Sequence, residues 1–244
     1  AALDLLLSEH VGDCEAPCRL ACPAHMNITL MIRQIADGKM AEAIETVKAD
    51  IALPGVLGRI CPAPCEKACR RSLVDESLAI CLLKRFAADT DYSSKSQYHP
   101  VCLPASGRKV AVVGSGPAGL SAAYYLARAG HSVVVMDERD EPGGQLRYGT
   151  AENILPRSVL EVEIDGIRRL GVTFRMKTRV GRPACSRTSV RAGRDVNLQQ
   201  LKKEYDAVVL APGIQEGHTA AGWGVETAGD VIKADPHNFR TSDE

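Results

Sequence analysis

The spacing of cysteines constrains this chain more than any other feature. The run Cys61-Pro62-Ala63-Pro64-Cys65-Glu66-Lys67-Ala68-Cys69 puts three thiols in nine residues, with prolines stiffening the backbone between the first two. An earlier run, Cys14-Glu15-Ala16-Pro17-Cys18-Arg19-Leu20-Ala21-Cys22-Pro23, repeats the same four-residue step. Seven of the nine cysteines precede residue 82, which separates a cysteine-rich front from a cysteine-poor back. Core packing gives no reason for two such triplets.

The apolar start Ala1 to Leu7 lacks a basic leader and a cleavage site, so no signal peptide is read there. Nine cysteines in that setting argue against a disulfide framework and for metal or redox chemistry. Thiolates are soft ligands suited to iron–sulfur clusters, zinc or copper(I). Cubane ligation takes three close cysteines and one remote one, crossing over when two clusters lie side by side, and a proline after the last cysteine, as in Cys22-Pro23, belongs to that pattern. Structural zinc prefers knuckles with two intervening residues, whereas both triplets here have three. Iron–sulfur ligation is therefore expected, with zinc as its rival.

Bulk properties exclude several classes. Thirty Lys and Arg balance thirty Asp and Glu, so no net field favours nucleic acid or an anionic membrane. No apolar run reaches the roughly 18 residues of a spanning helix, so membrane insertion is not expected. A cytoplasmic location follows as an expectation. The length of 244 residues allows one large domain or two smaller ones. The chain starts without Met inside a helix-like pattern, so a processed or partial piece of something longer is expected.

The front is helical in pattern. Asn27 can cap a helix through Ile28, Leu30, Met31, Ile32 and Ile35 that ends near Gly38. A second helix starts at Met40 and runs through Ala43, Ile44 and Val47, and a third spans Leu78 to about Asp89. Strand-like alternation is absent. The polar stretch from Asp91 to Pro100 reads as a linker.

The back opens differently. Lys109 to Val113 is a buried-strand run, followed by Gly114-Ser115-Gly116-Pro117-Ala118-Gly119, a helix from Leu120 to Ala129 and a strand from Ser132 to Met136. Asp137 ends that strand 18 residues after Gly119, which completes the dinucleotide-binding context. Gly114 makes the tight turn, Gly116 admits the pyrophosphate and Gly119 lets helix and strand pack. The helix start, with Pro117 and Ala118, offers amide donors to phosphate. Asp137, or else Glu138, accepts from the ribose. A helix from Pro156 to about Leu170 and a strand from Gly171 to Arg175 follow. Arg182 to Arg194 looks like an insertion.

The stretch Gly58-Arg59-Ile60 leading into Cys61 to Cys69 resembles the N-terminal cluster domain of the small chain of NADPH-dependent glutamate synthase. That domain is shared with the front of dihydropyrimidine dehydrogenase and with the large subunit of bifurcating NADH-dependent ferredoxin:NADP oxidoreductase. The resemblance implies two 4Fe–4S clusters, one on Cys14, Cys18 and Cys69 and the other on Cys22, Cys61 and Cys65. The chain departs from the family at both remaining ligands. Where the family has another cysteine, this chain reads His10-Val11-Gly12-Asp13-Cys14, which resembles the His-plus-three-Cys motif of iron-only hydrogenases and respiratory complex I; His10 is the expected ligand. Relatives place Gln or Glu near Lys84, but a protonated lysine has no lone pair to give. Cys81 lies one turn earlier on the same helix face and is expected to complete the second cluster.

Pro142-Gly143-Gly144-Gln145-Leu146-Arg147-Tyr148-Gly149 resembles the family segment that lies along FAD, which implies FAD as the dinucleotide and Gly143, Gly144, Gln145 and Arg147 among its contacts. Asp206 to Gly213 resembles the strand and turn that touch the flavin nucleotide through Ala211 and Gly213, with Pro212 in place of the usual Thr or Val. The family's second glycine fingerprint, for NADPH, is not evident after Ile214. Ala228-Gly229-Asp230 lacks the turn and helix that should follow a returning flavin motif.

The expected architecture is thus an α-helical two-cluster iron–sulfur domain (1–100) followed by an incomplete α/β Rossmann-like FAD-binding domain (105–215). A tail (216–244) makes a partial return to the FAD domain. The expected function is an iron–sulfur flavoprotein oxidoreductase within a larger redox complex. Electrons would pass between two 4Fe–4S clusters and FAD, with NAD(P)H reaching the flavin through a domain not visible in these residues. Other redox subunits or ferredoxin-like carriers are the expected partners, and no side chain is expected to act as a catalytic acid, base or nucleophile. The rivals are a non-catalytic relay or assembly subunit without its own nicotinamide site, and a zinc-stabilised binding module.

Overall fold

The computed structural model describes residues 15–181, 194–213, 225–228 and 231–242. The chain divides into two compact units that meet between Pro100 and Val101.

The first unit has only helices among its described residues: α1 (Pro17–Ala21), α2 (Ile28–Ala36), α3 (Met40–Asp50), α4 (Pro54–Ile60), α5 (Pro64–Lys67), a 3-10 turn (Arg70–Leu73) and α6 (Ile80–Ser93). Asn27 caps α2 as its sequence position requires, its side chain accepting from Leu30 N at 3.2 Å. The core joins Met26, Ile28, Met31, Ile44, Val47, Ile51, Ile80 and Ala88, with Cys65 among them. Each large aliphatic side chain in it contributes about 1.5–3 kcal/mol on burial. Helix α6 starts two residues later than expected and runs on to Ser93, into the stretch read as linker. The polar residues there are used: Asp91 accepts from Tyr98 N at 2.7 Å, and the Tyr92 hydroxyl accepts from Gly55 N at 3.2 Å.

Helices α4 and α6 meet at unusually short range. A Cβ on Gly58 would stand 2.8 Å from Arg85 Cβ and 2.9 Å from its Cα. Only a glycine lets α4 close on α6 here, and α4 ends at Cys61. Arg59 then ties the two helices through both oxygens of Asp89, at 2.9 and 3.0 Å.

The second unit carries a four-stranded parallel sheet in the order β3-β2-β1-β6: β1 (Lys109–Val113), β2 (Ser132–Met136), β3 (Thr173–Arg175) and β6 (Ala207–Leu210). Val110 to Val113 are all buried, the continuous apolar run of a strand covered on both faces. Helix α7 (Pro117–Arg128) links β1 to β2, while α8 (Gln145–Tyr148) and α9 (Arg157–Arg169) lie between β2 and β3. Strands β4 (Thr178–Val180) and β5 (Arg194–Val196) form a separate parallel pair, and α10 (Leu198–Glu204) carries the chain into β6. The tail contributes β7 (Thr227–Ala228) antiparallel to β8 (Val231–Ile232). Most of the suspected insertion, Cys185 included, lies outside the described residues, as do Gly229 and Asp230.

Candidate cluster and nucleotide sites

Each cysteine run is held by its own backbone geometry. Pro17, Pro54 and Pro64 each stand at the first position of a short helix, where their missing N–H costs nothing. Between Pro62 and Pro64, Ala63 is forced to φ 51°, left-handed for a non-glycine residue. That turn aims the Ala63 amide at Cys61 Sγ, 3.4 Å away. After Cys22-Pro23 the chain turns back through His25, whose N–H donates to Cys22 O at 2.9 Å and whose carbonyl accepts from Arg19 Nε at 3.0 Å.

The thiols fall into two electrostatic neighbourhoods. In the first, the Cys18 thiol is pushed up by burial, and the nearby charges of Cys69 and Cys22 add to this. Cys69 itself is pulled down, chiefly by the backbone N–H of Leu78 and then of Arg71, which stabilise its thiolate. In the second, burial pushes Cys65 up, with Cys22 and Cys61 adding and Lys84 opposing. Cys81 is pushed up to about 11, again by burial first, with Lys84 opposing and Cys61 and Cys65 adding. The two runs thus meet: α1 packs against α5, Cys69 acts on Cys18, and Cys22 acts on both Cys18 and Cys65. Cys81 joins Cys61 and Cys65 from α6. Cys14 and His10 lie outside the described residues.

Cys18, Cys22, Cys61, Cys65, Cys69 and Cys81 are all free thiols. Among the described residues no three His, Cys, Asp or Glu side chains converge as the ligands of one metal ion must. A cubane places each thiolate on a different iron and can draw its ligands from both cysteine runs. The donor set, its grouping and its amide donors to sulfur fit 4Fe–4S clusters.

One residue of this site escaped the sequence. Nothing in the first turn of α6 caps it. Instead Glu66, between Cys65 and Cys69, reaches across and accepts from Cys81 N at 2.8 Å. An acidic residue at a helix start is a known preference, but one supplied from 15 positions away leaves no local signal.

In the second unit the three expected nucleotide segments come together at the C-terminal ends of the strands. A Cβ on Gly114 would be 2.1 Å from Ala211 O, so the turns after β1 and β6 touch backbone to backbone. A Cβ on Gly119 would be 1.9 Å from Gly114 O, and one on Gly144 would be 2.6 Å from Gly116 Cα. Gly143 N donates to Ser115 O at 2.9 Å, closing the 143–144 turn onto the loop. Gly116 differs from the others: a Cβ there would meet nothing within 4 Å. Its glycine is not required by the protein's own packing, and the space above it is open, as the dinucleotide fingerprint requires for a pyrophosphate. No side chain caps α7, and Pro117 has no N–H. The Ala118 and Gly119 amides therefore remain as donors for an anion.

Asp137 is committed inside the loop as well as facing it. Its Oδ2 accepts from both the amide and the hydroxyl of Ser115, each at 2.7 Å, and its Oδ1 accepts from Arg139 N at 2.9 Å. Both lone pairs of Oδ2 are thereby used, and Oδ1 keeps one with which to accept a further donor. Glu138 is exposed, with Arg179 3.9 Å away. Arg147 turns inward: it is buried, donating to Pro142 O at 2.6 Å and to Glu141 at 2.9 Å, and pairing with Glu161 on α9. The structure thus makes Arg147 the clasp of the 142–149 turn. Gln145 opens α8, and Gly213 ends the β6 turn at φ 76°.

Comparison with known proteins matches residues 9–96 to a family described as dihydropyrimidine dehydrogenase domain II, 4Fe–4S cluster, and residues 112–169 to NAD(P)-binding Rossmann-like domains. Over 233 residues, 86% of this chain and 31% of the relative, the chain is 41% identical to the NADP(+)-dependent formate dehydrogenase subunit beta of Moorella thermoacetica. It is 35% identical to the NAD-dependent dihydropyrimidine dehydrogenase subunit PreT of Salmonella typhimurium, covering 83% of this chain and 46% of that one. It is likewise 35% identical to the NADPH glutamate synthase small chain of Mycobacterium tuberculosis, covering 82% and 39%. The chain spans less than half the length of each of these relatives. The zinc reading is superseded by the 4Fe–4S family match. No helix among the described residues is long and apolar enough to cross a membrane.

Proposed function

From the premise that this chain is an iron–sulfur domain of the dihydropyrimidine dehydrogenase domain II family followed by a Rossmann-like domain, homologous to oxidoreductase subunits, we propose that it is the electron-transferring part of a flavin-dependent NAD(P)H oxidoreductase. It works in the cytoplasm with other redox subunits or ferredoxin-like carriers. The observation that carries the proposal is the crossing contact of the two cysteine runs: α1 packs against α5, with Cys22 acting on Cys65 and Cys69 acting on Cys18. One zinc-type site per run has no use for such a crossing.

In this reading Cys14, Cys18 and Cys69, with His10, hold one 4Fe–4S cluster, and Cys22, Cys61, Cys65 and Cys81 hold the other. FAD lies on the glycine loop: Ala118 and Gly119 donate to its phosphates, Gly116 leaves it room, and Asp137 or Glu138 accepts from its ribose. Gly143, Gly144, Gln145, Ala211 and Gly213 line its path. Bound flavin and clusters would supply exchange between electron pairs and single electrons. The protein's own share is ligation, orientation and the exclusion of stray donors. The reducing nicotinamide binds on residues beyond those with a visible site here, in the same polypeptide or a partner subunit.

Anaerobically purified protein tests this directly. About eight irons and one flavin per chain are expected for two cubanes and one FAD site. Clusters without flavin would leave only an electron relay, and zinc without iron would end the proposal.

A further inference from the structure

Lys84 on α6 is 5% exposed. A buried ammonium without a counter-charge costs several kcal/mol, so such lysines are paired, neutral or rare. No described carboxylate pairs with this one. Asp89, the next acid along the helix, is taken by Arg59 and Arg85, and Glu66 accepts from the Cys81 amide. The charge of Lys84 acts instead on two thiols, opposing the upward push of burial on both Cys65 and Cys81. It sits one helical turn beyond Cys81, on the same face. Gly58 brings α4, which ends at Cys61, against this same part of α6.

We infer that Lys84 is the buried counter-ion of the cluster held by Cys22, Cys61, Cys65 and Cys81, and that it raises that cluster's reduction potential. The inference rests on that ligand set. A tetrathiolate cubane is an anion that becomes one unit more negative on taking an electron. A fixed positive charge beside it stabilises the reduced state more than the oxidised one, so the cluster accepts its electron at higher potential. Nothing comparable is buried beside Cys18 and Cys69 among the described residues. Their surroundings offer backbone amides and the exposed Arg71. The two clusters are thereby set apart in potential, which gives electron flow a direction through the unit.

The test is an EPR-monitored redox titration of protein carrying both clusters, comparing the parent with Lys84→Met and Lys84→Arg. Lys84→Met is expected to move one cluster signal to lower potential and leave the other in place, while Lys84→Arg, which keeps the charge, stays near the parent. Unmoved midpoints in Lys84→Met, or an equal shift in Lys84→Arg, would overturn the inference. Should Lys84→Met fail to load, Lys84→Arg decides. A loaded cluster at the parent potential supports a role of charge, and loss of iron there as well assigns the residue to shape and overturns it. A parent protein with iron for one cluster only would refute the ligand set itself and the inference with it, an outcome that the iron count tells apart from a failure of Lys84 to move the midpoint.

Discussion

The two units prepare for their cofactors in opposite ways. The Rossmann-like unit builds its site from backbone: glycines at van der Waals limits, uncapped helix amides and a carboxylate already locked to Ser115. Nothing in that arrangement is electrostatically costly without ligand. The cysteine unit gathers thiols that burial and mutual repulsion push toward protonation, and it buries a lysine among them. One site is finished by folding, whereas the other is finished by what it binds. Metal binding there must displace protons, and its free energy becomes folding free energy.

The largest effect should come from stripping the clusters. Chelation is expected to remove hydrogen-exchange protection across α1 to α6 while β1, β2 and β6 keep theirs. Equal loss in both units would erase the contrast. Next, Gly119→Ala drives a methyl group into Gly114 O and should destabilise the sheet unit by about 3 kcal/mol, as overpacking against backbone does. Gly116→Ala meets nothing, so its cost in stability should stay below about 1 kcal/mol while flavin affinity falls at least about tenfold. Chemical denaturation with flavin titration separates the two, and a Gly116→Ala protein that binds flavin normally would remove the pyrophosphate from that position.

In the helical unit, Asp89→Ala strands the buried Arg59 and should cost about 2 kcal/mol, read from a shifted urea midpoint at unchanged slope. A smaller effect concerns alkaline pH in the metal-free protein. Cys81 keeps its proton to about 11 when folded, against an ordinary thiol near 9. Between those values the unfolded chain has lost the proton that the native one retains, so stability falls as pH rises. Cys81→Ala should flatten that limb, and an unchanged slope would contradict the burial of this thiol beside Cys61 and Cys65. The smallest effect is acid-side and belongs to the sheet unit. The Lys109 amide, then Arg108, hold the Asp206 carboxyl below its usual range, so its contribution is present above the ordinary carboxylate value and disappears as pH falls through the lowered one. Asp206→Asn should flatten the acid limb of thermal unfolding slightly.

How much was legible in sequence follows the same divide. The glycine loop could be read because each glycine answers a backbone demand that only glycine meets, and the segments at 143–144 and 211–213 converge on it as expected. Helices α2 and α3 were visible in their apolar period and, for α2, in its cap. Helices α4 and α5 were not: each is brief, and its proline looks like a breaker until it is seen at the first helical position. The β4–β5 pair joins residues far apart in sequence, a pairing no local pattern encodes. Arg147 shows what a sequence leaves out. Its place beside two glycines suggested a cofactor contact, but Glu141 and Glu161, six and fourteen positions away, claim it first. Cys81 needed spatial neighbours, and it has them in Cys61 and Cys65.

The bond between Ser115 and Asp137 limits how this nucleotide site can change. The carboxylate proposed to meet the ribose, Asp137, is the same one that pins the amide and hydroxyl of Ser115 in the glycine loop. Any replacement at 137 is therefore judged twice, once by the ligand and once by the loop. A single substitution aimed at nucleotide preference would unfasten the turn that receives the phosphates. A change of preference that spares the loop would take paired substitutions at 115 and 137, or one at Glu138, whose partner is Arg179, 3.9 Å away and outside the loop.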